Sequence, residues 1–137
     1  MMLNDNLPAD AQILPFYLAN GSDNDALIRG RMASVGRAAS SILARHAYPK
    51  IVAILQAEAL ALAACLSSTL KFDGVFTLQA KGDGLVRTLF ADITQMGALR
   101  GYAALDQDRV ALQAASMAHD PMGPVRLGNI MGDGYIA

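Results

Sequence analysis

The stretch IVAILQAEALALAACLSSTL, residues 51–70, and the stretch FTLQAKGDGLVRTLFADI, residues 76–93, together decide the fold class. The first is rich in Ala and Leu and apolar nearly all the way round, as expected of a helix buried on most of its surface. Its most apolar part, Ile51 to Leu66, is interrupted by Gln56 and Glu58 and falls short of the ~20 residues that cross a bilayer. Pro49 suits the opening turn, where its missing N–H is not needed. The second stretch changes to a period of two: Phe76, Leu78 and Ala80 alternate with Thr77, Gln79 and Lys81. Gly82-Asp83-Gly84 turns the chain, Leu85 to Ile93 returns it, and Gly97 marks another turn before Leu99 to Leu105. Three consecutive strands form an antiparallel meander with one face free to pack on the helix, so the fold class is α+β.

Toward the N-terminus, Ile13 to Ala19 has an apolar and aromatic strand composition, and Pro15 places it at an edge. Asn20 to Asp25 is a dense turn signal, which makes Leu27 to Val35 the second arm of a hairpin. Ile28, Met32 and Val35 also keep helical spacing, so that arm has two readings. Gly36 breaks the run. Ala39, Ile42, Leu43 and His46 then stripe a short helix that stops before Tyr48-Pro49. Residues 1–10 are a polar, flexible lead, leaving 11–137 as the domain.

Toward the C-terminus, Asp108 to Ser116 reads as a connecting segment and His119 to Pro124 as loop. A second Gly-Asp-Gly, 132–134, leads into Tyr135-Ile136-Ala137, which has the look of a strand's first residues. A strand that begins so near the last residue suggests a truncated product, or a strand completed by another chain.

Among 137 residues, 53% are hydrophobic and 17% charged, enough apolar area to offset chain entropy and exclude wholesale disorder. The formal net charge of −1 provides no footprint for nucleic acid, whose binding neutralises many phosphates. Arg29, Arg31, Arg37 and Arg45 form a loose basic group that reads either as a solvated face or as a patch for an acidic partner. Cys65 is the single cysteine, so the chain has neither an internal disulfide nor a multi-thiolate zinc site. The first ten residues lack the basic start and apolar core of a signal peptide, and a cytoplasmic, membrane-free address is expected.

The candidates for chemistry are sparse. Neither Gly-Asp-Gly has the Lys-Ser/Thr ending or the G-x-G-x-x-G spacing of a phosphate loop, and both read as turns. Glu58, amid an apolar helix, is either an ion-pair partner for Arg29, Arg31 or Arg37, a residue on an exposed side, or a perturbed general base. His46 and His119 are far apart, without a Cys, Glu or second His at ligand spacing; His46 suits the C-terminal end of its helix. Cys65 lies inside the long helix as a small hydrophobe. Met32, Met96, Met117, Met122 and Met131 are either core gap-fillers or flexible contacts for unselective binding. No nucleophile, base and oxyanion donor assemble, so no catalytic, cofactor-binding or metal residue is assigned and binding is favoured over catalysis.

Several strings in order resemble the N-terminal domain of the redox-regulated 33 kDa heat-shock chaperonin family. They are Ile28-Arg29-Gly30, His46-Ala47-Tyr48-Pro49, Ala57-Glu58, Leu70-Lys71-Phe72-Asp73-Gly74, Gly82-Asp83-Gly84, Leu99-Arg100-Gly101 and Gly132-Asp133-Gly134-Tyr135, covering about residues 13–137. The resemblance implies an ATP-independent holdase for unfolded client proteins in the cytoplasm, a homodimer or homo-oligomer, and a partial substrate-binding domain. It also implies that the family's zinc site and its switch cysteines lie in a C-terminal module outside this sequence, so that no cofactor belongs to this chain. Two other readings stand beside it: an inert or oligomerising structural fragment, and a small-molecule enzyme using Glu58.

Overall fold

The computed structural model describes residues 11–19, 26–116 and 131–137. The lead at 1–10, the turn at Asn20 to Asp25, and the loop with His119, Met117 and Met122 lie outside the described residues. The elements run β1 (Gln12–Ala19), β2 (Ala26–Ser34), α1 (Gly36–Leu43), α2 (Lys50–Ser67), β3 (Val75–Gly82), β4 (Val86–Thr94), β5 (Leu99–Leu105), α3 (Gln107–Ser116) and β6 (Gly134–Ile136). β1 and β2 pair as an antiparallel hairpin, and a second antiparallel sheet has the order β5-β4-β3-β6. The α+β expectation holds, with hairpin, short helix, long helix and meander in the expected order.

Pro49 keeps an extended ψ of 147° just before α2, one position earlier than the sequence placed it. Its carbonyl accepts the N–H groups of Val52 (2.9 Å) and Ala53 (3.0 Å), which begins the helix. The buried residues of α2 are Val52, Leu55, Gln56, Ala59, Leu60, Ala63, Ala64 and Ser67. Their spacing of three and four residues traces a single stripe. Ile54, Glu58, Leu62 and Leu66, each four residues from the next, form an exposed stripe on the opposite side. This corrects the expectation of a helix buried on most of its surface. Apolar residues on both faces hide the helical period from the sequence, and only the stripe of small residues marks the packed side. The 18-residue helix is also long and apolar enough, by length and composition, to cross a membrane, contrary to the sequence-based count. Its buried stripe is occupied by the sheet and hairpin.

At the contact with the sheet, the Gln56 amide nitrogen donates to the carbonyl oxygen of Phe90 at 2.9 Å. Gln56 is fully buried, and its carbonyl oxygen has no hydrogen-bond partner. Gly101 of β5 lies directly beneath: a Cβ there would collide with the Gln56 amide nitrogen and come within 3.1 Å of a Leu60 methyl. The absence of a side chain at 101 lets the helix settle on the sheet. On the opposite face of the sheet, buried Asp92 accepts from the Thr77 hydroxyl at 2.8 Å and from the Arg100 guanidinium Nε at 2.9 Å, so its charge is paired across three strands.

Two segments depart from the sequence reading. α1 closes at Leu43, and Arg45 and His46 follow in tight turns through hydrogen bonds to Ile42 and Leu43, so His46 is not in the helix's last turn. Residues 107–116 form a helix where a plain connection was expected. Asp106 starts it: its carboxylate accepts from the N–H of Arg109 (3.3 Å) and its carbonyl from Val110 (3.0 Å). The Arg87 guanidinium, 2.7 Å from the same carboxylate, is the main reason its pKa lies below the usual value, with Arg109 assisting. The strand expected around Tyr135-Ile136-Ala137 is present as Gly134–Ile136, paired antiparallel to β3. Ala137 and Gln79 exchange both backbone hydrogen bonds at 2.7 Å.

The two Gly-Asp-Gly turns interlock. The Gly84 N–H donates to the Met131 carbonyl (2.8 Å), the Asp83 N–H to the Asp133 carbonyl (3.2 Å), and the Asp133 N–H to the Asp83 carboxylate (2.9 Å). Gly132 adopts φ +65°, a left-handed conformation suited to glycine. Side chains at Gly82 or Gly134 would strike the opposing backbone.

Replacing Gly101 with Ala is expected to destabilise the fold by about 1–3 kcal/mol, the usual cost of overpacking, because the Gln56 amide and Leu60 must both move. Urea unfolding of the variant measures this directly, and an unchanged midpoint would contradict the packing described.

Candidate functional site

The hairpin register determines which side chains share a face. Leu14 pairs with Met32, Phe16 with Gly30 and Leu18 with Ile28. Directly opposed residues point to the same side of a sheet, and alternate residues follow them. Beyond the polar pair Gln12 and Ser34 at its end, one face of the hairpin is therefore apolar: Leu14, Phe16, Leu18, Ile28 and Met32, with the Phe16 ring lying over Gly30. These five side chains are between 42% and 63% exposed. On the other face, Ile13 and Ala33 pack into or against the core, while Tyr17 pairs with Arg29 and Pro15 with Arg31. The hairpin is thus anchored at the Ile13 end and presents its opposite face to solvent.

Such a face has no structural use within the described residues. Core burial would make these side chains inaccessible, and a purely solvated hairpin face would carry polar residues at alternate positions. Contiguous exposed apolar patches on soluble proteins mark contact sites. Met32 adds a flexible, polarisable thioether, and the aliphatic and aromatic neighbours accept differing shapes without directional bonds. The outer stripe of α2, with Ile54, Leu62 and Leu66, is a second exposed apolar surface, but Glu58 divides it.

The structure distributes the remaining candidates rather than assembling them. Glu58 is on the exposed side of α2, which agrees with one of the readings considered for it. Cys65 is partly buried, with its sulfur 3.8 Å from the Arg31 carbonyl, bridging α2 and β2. Arg31 donates to the Gly30 carbonyl at 3.2 Å, and its buried Nε has no partner. Arg29, Arg37 and Arg45 are exposed. Met131 is in the core, Met32 and Met96 are exposed, so the methionines divide between both readings. His46 stacks on Tyr48. Among the described residues no group of three His, Cys, Asp or Glu side chains is placed to hold a metal ion.

Sequence reasoning missed the hairpin face as a unit. The signal was present, since Leu14, Phe16 and Leu18 alternate, as do Ile28, Gly30 and Met32. Only the register shows that the two sets share a side.

The sequence pattern of the family described as Hsp33 protein matches residues 17–137. The 33 kDa chaperonin of Caulobacter vibrioides (strain NA1000 / CB15N) is 48% identical over 84 residues, covering 61% of this chain and 28% of that protein. The 33 kDa chaperonin of Ectopseudomonas mendocina (strain ymp) is 37% identical over 100 residues, covering 73% and 34% respectively. That of Pseudomonas aeruginosa (strain LESB58) is 36% identical over 104 residues, covering 76% and 35%. The match thus spans roughly a third of the length of these relatives.

Replacing Ile28 or Met32 with Thr, which keeps a strand-compatible side chain, is expected to change unfolding free energy by less than about 1 kcal/mol. Leu60→Ala, in the core, is expected to cost about 2–5 kcal/mol. A hairpin substitution as costly as the core one would mean that this face is structural.

Proposed function

Since this chain belongs to the Hsp33 protein family, we propose that it is a chaperone domain that holds unfolding proteins on the apolar face of its β1–β2 hairpin. The observation that carries this reading is that face itself, five exposed apolar side chains in one register. Non-native chains expose apolar segments of no fixed sequence, and a surface without directional polar groups binds them by area alone. Holding a client in this way needs no nucleotide, so the activity is that of an ATP-independent holdase acting in the cytoplasm. Glu58 stands on the exposed side of α2, and the enzymatic reading draws no support from its position.

The test is light scattering from a heat-unfolding client such as citrate synthase. The chain is expected to suppress aggregation equally in reductant and after peroxide, because Cys65 is its single cysteine and a disulfide switch within the chain needs two. The triple variant Leu14→Thr, Leu18→Thr, Met32→Thr is expected to lose most of the suppression while unfolding at a similar urea concentration. Full suppression by the folded triple variant would move the client surface elsewhere.

A further inference from the structure

The segment that follows α1 crosses the edge of β5 and leaves two cavities, of about 270 and 290 Å³, on the two sides of the His46–Tyr102 contact. Four rings in succession line this cleft. His46 stacks on Tyr48 with centroids 5.0 Å apart, Tyr102 meets His46 edge-on at 5.4 Å, and Phe90 lies 6.0 Å from Tyr102. The Arg100 guanidinium ends the series, 5.7 Å from the Phe90 centroid. Arg45 enters the same cavity as Arg100, and among the described residues no carboxylate lines either cavity. Asp92, on the same face of the sheet, neutralises Arg100 and is itself buried, so the mouth of the cleft stays cationic at Arg45.

The edge of β5 is closed to an added strand here. The Ala103 N–H, which points out from the sheet, is taken by the Tyr48 hydroxyl at 2.9 Å. Burial pushes the Tyr48 phenol above its usual range, against the opposing pull of that hydrogen bond, so the ring stays neutral. A peptide backbone is therefore a poor occupant, and each cavity is near the lower end of the volumes that hold small molecules. Exposed ring faces attract planar aromatic systems, and guanidinium groups attract anions through charge-assisted hydrogen bonds.

We propose that this cleft is a binding site for a small planar aromatic anion, its ring against His46 and Tyr102 and its charged group toward Arg45 and Arg100. The site is separate from the hairpin face and does not depend on the chaperone reading.

The probe is 1-naphthalenesulfonate, with neutral 1-naphthalenemethanol and inorganic sulfate as controls. The full chain has two histidines, so His119→Gln leaves the His46 ring as a single reporter in a carbon–proton correlation spectrum. Naphthalenesulfonate is expected to shift the His46 signals to saturation, the alcohol to bind about tenfold more weakly for want of the charged contact, and sulfate alone to leave them unmoved. Arg45→Gln, an exposed position, and Tyr102→Leu are each expected to weaken the sulfonate about tenfold, while the hairpin triple variant leaves its affinity unchanged. Equal binding of sulfonate and alcohol would overturn the proposal. So would an affinity untouched by Arg45→Gln, or a His46 response that disappears in the hairpin variant. If Tyr102→Leu does not fold, Arg45→Gln alone decides.

Discussion

The close approach of α2 to strands β4 and β5 is the constraint on which the rest of the structure depends. Ala59, Ala63 and Ala64 on the helix, and Gly101 on the sheet, remove the side-chain bulk that would hold the two layers apart. Gln56 then reaches a strand carbonyl, a polar contact inside an otherwise apolar interface. A single hydrogen bond of this kind contributes modestly to net stability, but the buried amide admits few alternative registers of helix on sheet. The hairpin and α1 are placed by the same helix: Val35, Ala39, Ile42 and Ile13 join its cluster, and the Cys65 sulfur meets the β2 backbone. Were α2 to rotate by one residue, Ile54 or Glu58 would turn toward the sheet and the hairpin would lose its support.

The legible parts of the sequence were those with one strong local signal. The alternation from Phe76 to Lys81 and the glycine turns at 82–84 and 97 matched strands and turns closely, because a half-buried antiparallel strand must alternate. The burial of α2 was overread in amount and hidden in direction, since Ile54, Leu62 and Leu66 are as apolar as the residues that pack. Helix α3 was missed because its N-cap, Asp106, directly follows β5 and its body has only Val110 and Leu112 as large apolar residues to mark a period. The pairing of the two Gly-Asp-Gly turns was beyond local reading altogether, as each looks complete by itself.

The same limits apply to the candidate surfaces. Leu14, Phe16 and Leu18 could be read as one side of a strand, yet their union with Ile28 and Met32 exists only in the register. The aromatic cleft joins residues 46–48 with 90–102, which no sequence window contains. Glu58, Cys65 and His46 drew notice as isolated chemical types, and the fold gives them packing or solvent rather than one another. What recognises a partner here is a property of faces, and faces are composed across elements.

The interlocked turns also bear on the order in which the molecule assembles. The hydrogen bond between Asp133 and Asp83 closes a loop of fifty residues, whereas β3, β4 and β5 follow one another through tight turns and lie next to α2 in sequence. Closing the long loop costs more chain entropy than any of those local steps, and its reward comes only once the β3–β4 turn already exists. β6 is thus added late, onto a body that α2 and the meander have already formed. The pair of glycine turns makes β6 wait for the β3–β4 hairpin, so that an order of strands in space becomes an order of events in time.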